Sequence, residues 1–119
     1  MHDLKDPYWE HLDSLVSRSE IVINRPRGST HPRFPDFVYP YDYGYLAETQ
    51  GGDGDGIDVW FGSLPDRNLI GGILTVDLDK RDVEVKLLLG STGAETEAIL
   101  QAHNDGDQAA TLVLRSAQT

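Results

Sequence analysis

Residues 39–58, YPYDYGYLAETQGGDGDGID, constrain this chain more than any other stretch of it. Tyrosines alternate with other residues in its first half, and glycines separate the aspartates Asp53, Asp55 and Asp58 in its second half. Carboxylates this close repel one another, so a fold that brings them together usually supplies a cation. Aspartate and glycine are also the commonest turn residues. Taken alone, the segment leaves two interpretations open, a metal site and a solvated acidic turn.

Length, charge and cysteine content limit the classes to which the chain can belong. With 119 residues we expect a single domain, in which residues 1–19 hold an N-terminal helix and residues 20–119 a barrel and a helix. The formal net charge of −10 argues against binding nucleic acid by electrostatic attraction alone. Cysteine is absent, which excludes disulfides, a thiol nucleophile and a Cys-ligated zinc site. No apolar run reaches the length of a membrane span, so we expect a soluble, cytoplasmic protein that binds no membrane.

Capping signals and apolar periodicity predict two helices. Asp6 is suited to the N-cap and Pro7 to the first helical position, ahead of apolar residues that fall on one helix face. Thr92 and Glu95 have the spacing of a capping box, which predicts a second helix as far as about His103.

The other periodic segments predict strands. They cover residues 20–24, 37–39, 57–61, 68–79, 82–89 and 109–115. A tight turn near Lys80 and Arg81 joins the fourth and fifth of these into a hairpin. Short strands at close spacing, with two helices, predict a mainly β fold of the α+β class, either a small barrel or a strongly curved sheet with helical cover.

The second strand of the hairpin alternates between charged and apolar residues. Glu84 and Lys86 share one face, and Val83 and Val85 lie on the other. Charged side chains on a strand are most often exposed to solvent. The alternation alone therefore favours a solvated charged face.

Arginines crowd the loop that follows the first strand. Arg25, Arg27 and Arg33 are three of the seven arginines in an acidic chain. A solvated basic loop and an anion clamp facing the acidic segment are both open, and we favour the clamp for Arg33 only. Nothing near His31 in the sequence suggests a ligand partner. The second acidic run, residues 104–107, follows a helix end and predicts a turn.

Familiar phosphate and calcium motifs do not fit the acidic segment. An EF-hand loop that starts at Asp53 would need glycine where Asp58 stands, and no Walker-type phosphate loop occurs. What remains is a carboxylate cluster with neighbouring tyrosine hydroxyls and a few cations. Mg²⁺ takes carboxylates and waters and bridges to substrate phosphate oxygens, so phosphate chemistry with Mg²⁺, or with Mn²⁺ in its place, is the hypothesis.

The run YPYDYGY followed by DGDGID resembles the signature of the soluble family I inorganic pyrophosphatases, Tyr-Pro-x-Asn-Tyr-Gly-[Tyr/Phe] and then Asp-Gly-Asp-Pro-x-Asp. The run GGILTVDLDKRDVEVKLLL resembles the next hairpin of that family. The resemblance covers residues 21–103 and implies an OB-like five-stranded barrel with a helix packed on it. It further implies hydrolysis of inorganic pyrophosphate or a related phosphoanhydride by metal-activated water.

The resemblance also assigns roles by motif position to the acids. Asp53 and Asp58 match metal ligands, and Asp55 matches the acid that orients or deprotonates the attacking water. Glu84 stands where the family has a metal-binding aspartate. A further metal ligand is expected near the hairpin turn, where Asp77 and Asp79 are both candidates and the distance from Glu84 favours Asp79.

For phosphate binding, the resemblance implies Lys86, Arg33, Tyr43 and Tyr39. The chain is a shortened form of the family pattern: Asn24 stands at a glutamate position, and the segment before Tyr39 lacks a phosphate-binding arginine. These departures keep a non-catalytic metal- and phosphate-binding relative open as the alternative. A homo-oligomer is expected, because a second subunit could supply the missing cations.

Overall fold

The structure is a computed structural model that describes residues 6–51 and 54–115. Its elements in chain order are α1 (Pro7–Arg18), β1 (Ile21–Arg25), β2 (Asp42–Leu46), β3 (Ile57–Phe61), β4 (Leu69–Asp77), β5 (Asp82–Leu89), α2 (Gly93–Ala102) and β6 (Gln108–Leu114). The predicted mainly β, α+β class is confirmed. Neither helix is long and apolar enough to cross a membrane within the described residues.

The strands form one six-stranded mixed sheet in the order β1-β2-β3-β5-β4-β6. Neighbouring strands are antiparallel except for β3 and β5, which run parallel. The expected five-stranded OB-like barrel is not what the described strands form. Strand β6 pairs along the outer side of β4, so β1 and β6 become the two edges of an open sheet.

Helix α1 covers one face of the sheet. The Asp6 carboxylate accepts the Tyr8 backbone N–H at 3.0 Å and Pro7 stands in the first turn, which confirms the predicted start. The apolar side chains of the helix, Trp9, Leu12, Leu15 and Val16, pack against a core cluster that contains Leu46, Val59, Phe61, Leu69, Leu87 and Leu89.

Helix α2 covers the opposite face. Its capping box is formed by Thr92 and Glu95, as predicted. Ile99 and Leu100 of this helix pack with a second cluster, whose buried members are Tyr39, Trp60, Ile73 and Leu88. Alternation along β3 divides the two clusters, because Val59 and Phe61 point towards α1 and Trp60 points towards α2.

The strand predicted over residues 37–39 is wrong. That segment forms a single bridge, between Thr30 and Val38, while the regular strand β2 lies further along the tyrosine-rich run. Prolines on either side of residues 37–39 shorten the pairing, because proline cannot donate to a strand ladder. Gly44 of β2 has a specific role, since a Cβ at this position would overlap the Val22 carbonyl oxygen of β1.

Candidate functional site

The charged face of β5 is buried, contrary to expectation. Glu84 and Lys86 are 8% and 7% exposed, whereas Val83 and Val85 on the other face are 67% and 39% exposed. Burying two charged side chains is costly unless they are paired and hydrogen-bonded. The pairing that permits this burial defines a polar cluster on the face of the sheet that α2 also covers.

Lys86 is the centre of this cluster. Its Nζ donates to Tyr43 Oη at 2.7 Å, to Asp58 Oδ2 at 2.9 Å and to Glu84 Oε1 at 3.4 Å. Asp58 and Lys86 are register partners in the parallel pair of β3 and β5, and Glu84 lies two residues earlier on the same face. An ammonium group has three donors, so Lys86 is fully satisfied.

Glu84 is shared between two lysines. Lys80, in the hairpin turn, places its Nζ 3.5 Å from Glu84 Oε2 and 3.4 Å from Asp82 Oδ2. Partial burial lowers the pKa of Lys80, but the two carboxylates outweigh it and raise the pKa above its ordinary value. Lys80 is therefore charged and extends the cluster towards solvent.

Two tyrosines line the cluster. The Tyr43 ring lies 4.7 Å from the Trp60 ring and 5.3 Å from Lys86 Nζ, and the Tyr39 ring lies 5.3 Å from Tyr43. Burial and then the Asp58 carboxylate raise the pKa of Tyr43, and burial raises that of Tyr39. Both hydroxyls therefore keep their protons at neutral pH and can donate hydrogen bonds.

His31 connects Tyr39 to the part of the loop that carries Arg33. Its ring stacks on Tyr39 with centroids 6.4 Å apart, and its Nδ1 accepts the Arg33 backbone N–H at 3.0 Å. Burial lowers the pKa of His31, and the charges of Arg25, Lys80 and Arg33 lower it further. Cations from strand β1, from the loop after it and from the β4–β5 turn therefore all lower the pKa of one imidazole.

Sequence reasoning missed His31, Arg25 and Lys80. Arg25 is the register partner of Tyr43 in the β1–β2 pair, which places both side chains on one face of the sheet. Correct placement of β2 would have revealed this pairing. The predicted Arg33 lies in the loop beside His31 with an exposed side chain.

The structure does not bring all the predicted acidic site residues together. Asp58 and Glu84 meet at Lys86, whereas Asp55 is exposed in the loop before β3 and Asp53 lies outside the described residues. Asp77 Oδ1 accepts the backbone N–H groups of Asp79 and Lys80, each at 3.0 Å, which stabilises the hairpin turn. Asp79 is exposed at that turn.

Asp58 and Glu84 are the carboxylates that suit a divalent metal. Within residues 6–51 and 54–115, no group of three or more His, Asp or Glu side chains is arranged to hold a metal ion. Mg²⁺ does not require such a cage, because it is often held by one or two carboxylates, waters and substrate phosphate oxygens. In this structure both carboxylates are paired with the Lys86 ammonium.

A buried hydrogen-bonded chain lies behind the cluster and was not foreseen. Trp60 Nε1 donates to His103 Nε2 at 2.9 Å, so the proton of the neutral imidazole is on Nδ1, 2.9 Å from Gln108 Oε1. Burial lowers the pKa of His103 to about 4, against a smaller upward effect of Gln108. This chain ties α2 and β6 to the indole on which Tyr43 packs.

Comparisons with protein-family models, with curated proteins and with solved structures found no match to this chain.

Proposed function

We propose that this chain is a Mg²⁺-dependent hydrolase of inorganic pyrophosphate or of a related phosphoanhydride. The observation that carries the proposal is the convergence of Asp58, Glu84 and Tyr43 on the buried Lys86 ammonium. The three Lys86 donors are already used in these contacts, so a phosphate oxygen would take the place of one of these partners, next to carboxylates that could then hold a cation. The resemblance of residues 39–58 to the pyrophosphatase signature supports the same reaction.

Each group of the cluster has a part in this reaction. Asp58 and Glu84 would hold Mg²⁺, or Mn²⁺, which as a Lewis acid lowers the pKa of water and neutralises charge on the phosphate oxygens. Asp55, which lies outside the cluster in the loop before β3, would accept the proton of the attacking water as the water oxygen bonds to phosphorus, the role that the resemblance implies for it. The bridging P–O bond then breaks, and Lys86 and Tyr43 stabilise the charge on the departing phosphate by hydrogen bonding.

Phosphate release from pyrophosphate in the presence of Mg²⁺ tests the proposal. We expect Asp58→Asn and Asp55→Asn each to lower the rate by about 100-fold, because each removes a carboxylate needed in the transition state. Asp66→Asn is the matched control, since this aspartate is exposed between β3 and β4. Equal rates in all four proteins would overturn the proposal.

A non-catalytic module that binds metal and phosphate is the second candidate. The exposed position of Asp55 favours it, because the reaction needs this acid beside the attacking water. Calorimetric binding of imidodiphosphate with Mg²⁺, without any phosphate release from pyrophosphate, would support this candidate over the hydrolase.

A further inference from the structure

The loop between β1 and β2 presents an exposed aromatic ring beside His31. We call His31 and the cations that lower its pKa, Arg25, Arg33 and Lys80, the cationic corner. Phe34 is 59% exposed, yet its ring centroid is only 5.0 Å from that of His31. Backbone hydrogen bonds fix its position, because Phe37 N donates to Phe34 O at 2.9 Å and His31 N donates to Phe37 O at 3.1 Å. The ring is therefore held in place while one side of it is open to solvent.

The charges around His31 are not balanced locally. Lys80 pairs with Glu84 and Asp82, but neither Arg25 nor Arg33 forms an ion pair with a carboxylate in the described part of the chain. In a chain of net charge −10, two arginines without an ion pair to any described carboxylate are notable. The corner is suited to an anion that the protein itself does not supply.

His31 adds a donor and an apolar surface to this corner. Its Nδ1 accepts a backbone N–H, so in the neutral ring the proton is on Nε2. The imidazole lies between the Phe34 and Tyr39 rings, and the Tyr39 ring in turn contacts Tyr43 beside Lys86. An aromatic row therefore runs from solvent to the polar cluster, with cations beside it.

Such a row fits an organic phosphate better than an inorganic one. Pyrophosphate has no apolar part, so an exposed phenylalanine contributes nothing to its binding. A nucleobase stacks on aromatic side chains with a gain of about 1–3 kcal/mol, whichever base it is. Phosphate groups attached to that nucleoside would lie within the cationic corner.

We propose that the ligand of this site is a nucleoside diphosphate or triphosphate, with its base stacked on Phe34 and its phosphates bound by Arg25, Lys80 and His31 next to Lys86. The proposal rests on the proposed function in one respect, that Lys86 binds a phosphate group. It goes beyond that function by naming the chemical class of the ligand.

Calorimetry with two non-hydrolysable ligands in Mg²⁺ tests this proposal. One ligand is α,β-methylene-ADP, and the other is methylenediphosphonate, which has the same bridged phosphorus pair without the nucleoside. We expect the nucleotide to bind at least tenfold more tightly to the unmodified chain. Phe34→Ser should remove that preference and leave methylenediphosphonate binding within twofold.

Two further substitutions and two controls complete the experiment. Arg25→Gln and Lys80→Gln should each weaken both ligands about tenfold, because they remove charge from the phosphate side. Tyr8→Ser is the control for Phe34, as Tyr8 is an aromatic residue on α1 with 56% exposure. Arg81→Gln is the control for Lys80, because Arg81 is its exposed neighbour in the same turn. Both controls should bind as the unmodified chain does.

The possible failures are distinguishable. Equal affinity for the two ligands, or an unchanged preference in Phe34→Ser, overturns the nucleotide proposal even if pyrophosphate is hydrolysed. A clear nucleotide preference without phosphate release from any phosphoanhydride supports the ligand class and overturns the hydrolase. Absence of binding by both ligands overturns the phosphate site at Lys86, and the nucleotide proposal with it.

Discussion

On strand β5 the charged face is buried and the valine face is exposed, the opposite of what the residue types suggest. One face places Glu84 and Lys86 in the interior, and the other leaves Val83 and Val85 in solvent. On the valine face, α1 packs on the cluster that contains Leu87 and Leu89, further along the strand. The comparison shows that cover, rather than polarity, decides which face becomes interior. A charged face can be buried where complementary groups are in register to receive it.

Replacement of Lys86, the centre of the buried charged face, is expected to lower the free energy of unfolding more than any other substitution considered for this strand. Lys86→Met should lower the free energy of unfolding by about 3–5 kcal/mol, because it removes the cation that pairs with Asp58 and leaves the buried Glu84 with only the exposed Lys80. Urea denaturation at pH 7 measures this change. Lys80→Met is the matched control, since the Lys80 side chain is 53% exposed and its surface ion pairs are worth at most about 1 kcal/mol. Similar losses in the two variants would contradict the interior role of Lys86.

Acidification should lower the free energy of unfolding, because it protonates His103, which is buried on the same side of the sheet as Lys86. Its pKa is about 4 in the folded protein and 6.5 as the ordinary value, so between these pH values the unfolded chain binds more protons. The contribution to stability is complete above pH 6.5 and is lost as the pH falls towards 4. The loss is about 3 kcal/mol, taken from the size of that pKa difference.

His103→Gln provides the control for this pH dependence. Glutamine does not titrate, so the variant should lose much less stability than the unmodified chain between pH 6.5 and pH 4.5 in urea denaturation. Glu95 does not confuse the comparison, because backbone hydrogen bonds to Thr92 and Ser63 lower its pKa to about 2, below this window. The same loss in both proteins would show that other groups are responsible.

The smallest change in the free energy of unfolding is expected for substitutions on the exposed valine face of β5. Val83→Thr should change the free energy of unfolding by no more than about 0.5 kcal/mol, because the side chain is already in solvent. The same substitution at Val59, which is fully buried, should cost at least about 1 kcal/mol through an unpaired hydroxyl. Thermal or urea denaturation of the two variants measures the contrast. A cost at Val83 equal to that at Val59 would mean that something covers the valine face.

Local signals in the sequence predicted local features well. Asp6 with Pro7, and Thr92 with Glu95, predicted both helix starts because a cap depends on residues within one turn. Alternation along β3 assigned Val59 and Trp60 to opposite faces for the same reason, since side-chain direction follows from strand geometry alone.

Pairing between distant elements was predicted less well. We expected a strand at residues 37–39, before the tyrosine-rich run, but β2 begins at Asp42 within that run. Because the strand was misplaced, the pairing of Arg25 with Tyr43 was not predicted. Of the predicted site residues, Asp58, Glu84, Lys86 and Tyr43 meet within hydrogen-bonding distance. Their motif spacing carried no information about His31 or Lys80, which lie on other elements.

The amino-acid sequence by itself determined where helices begin, where the hairpin turns and which side chains of a strand share a face, because these depend on backbone sterics and hydrogen bonds between near neighbours. Only the tertiary structure decided that β6 would border β4 and that the charged face of β5 would be buried. It also decided which cations lower the pKa of His31. Those outcomes depend on which surfaces pack together. The alternation of residues along a strand defines its two faces but does not determine which of them another element will cover.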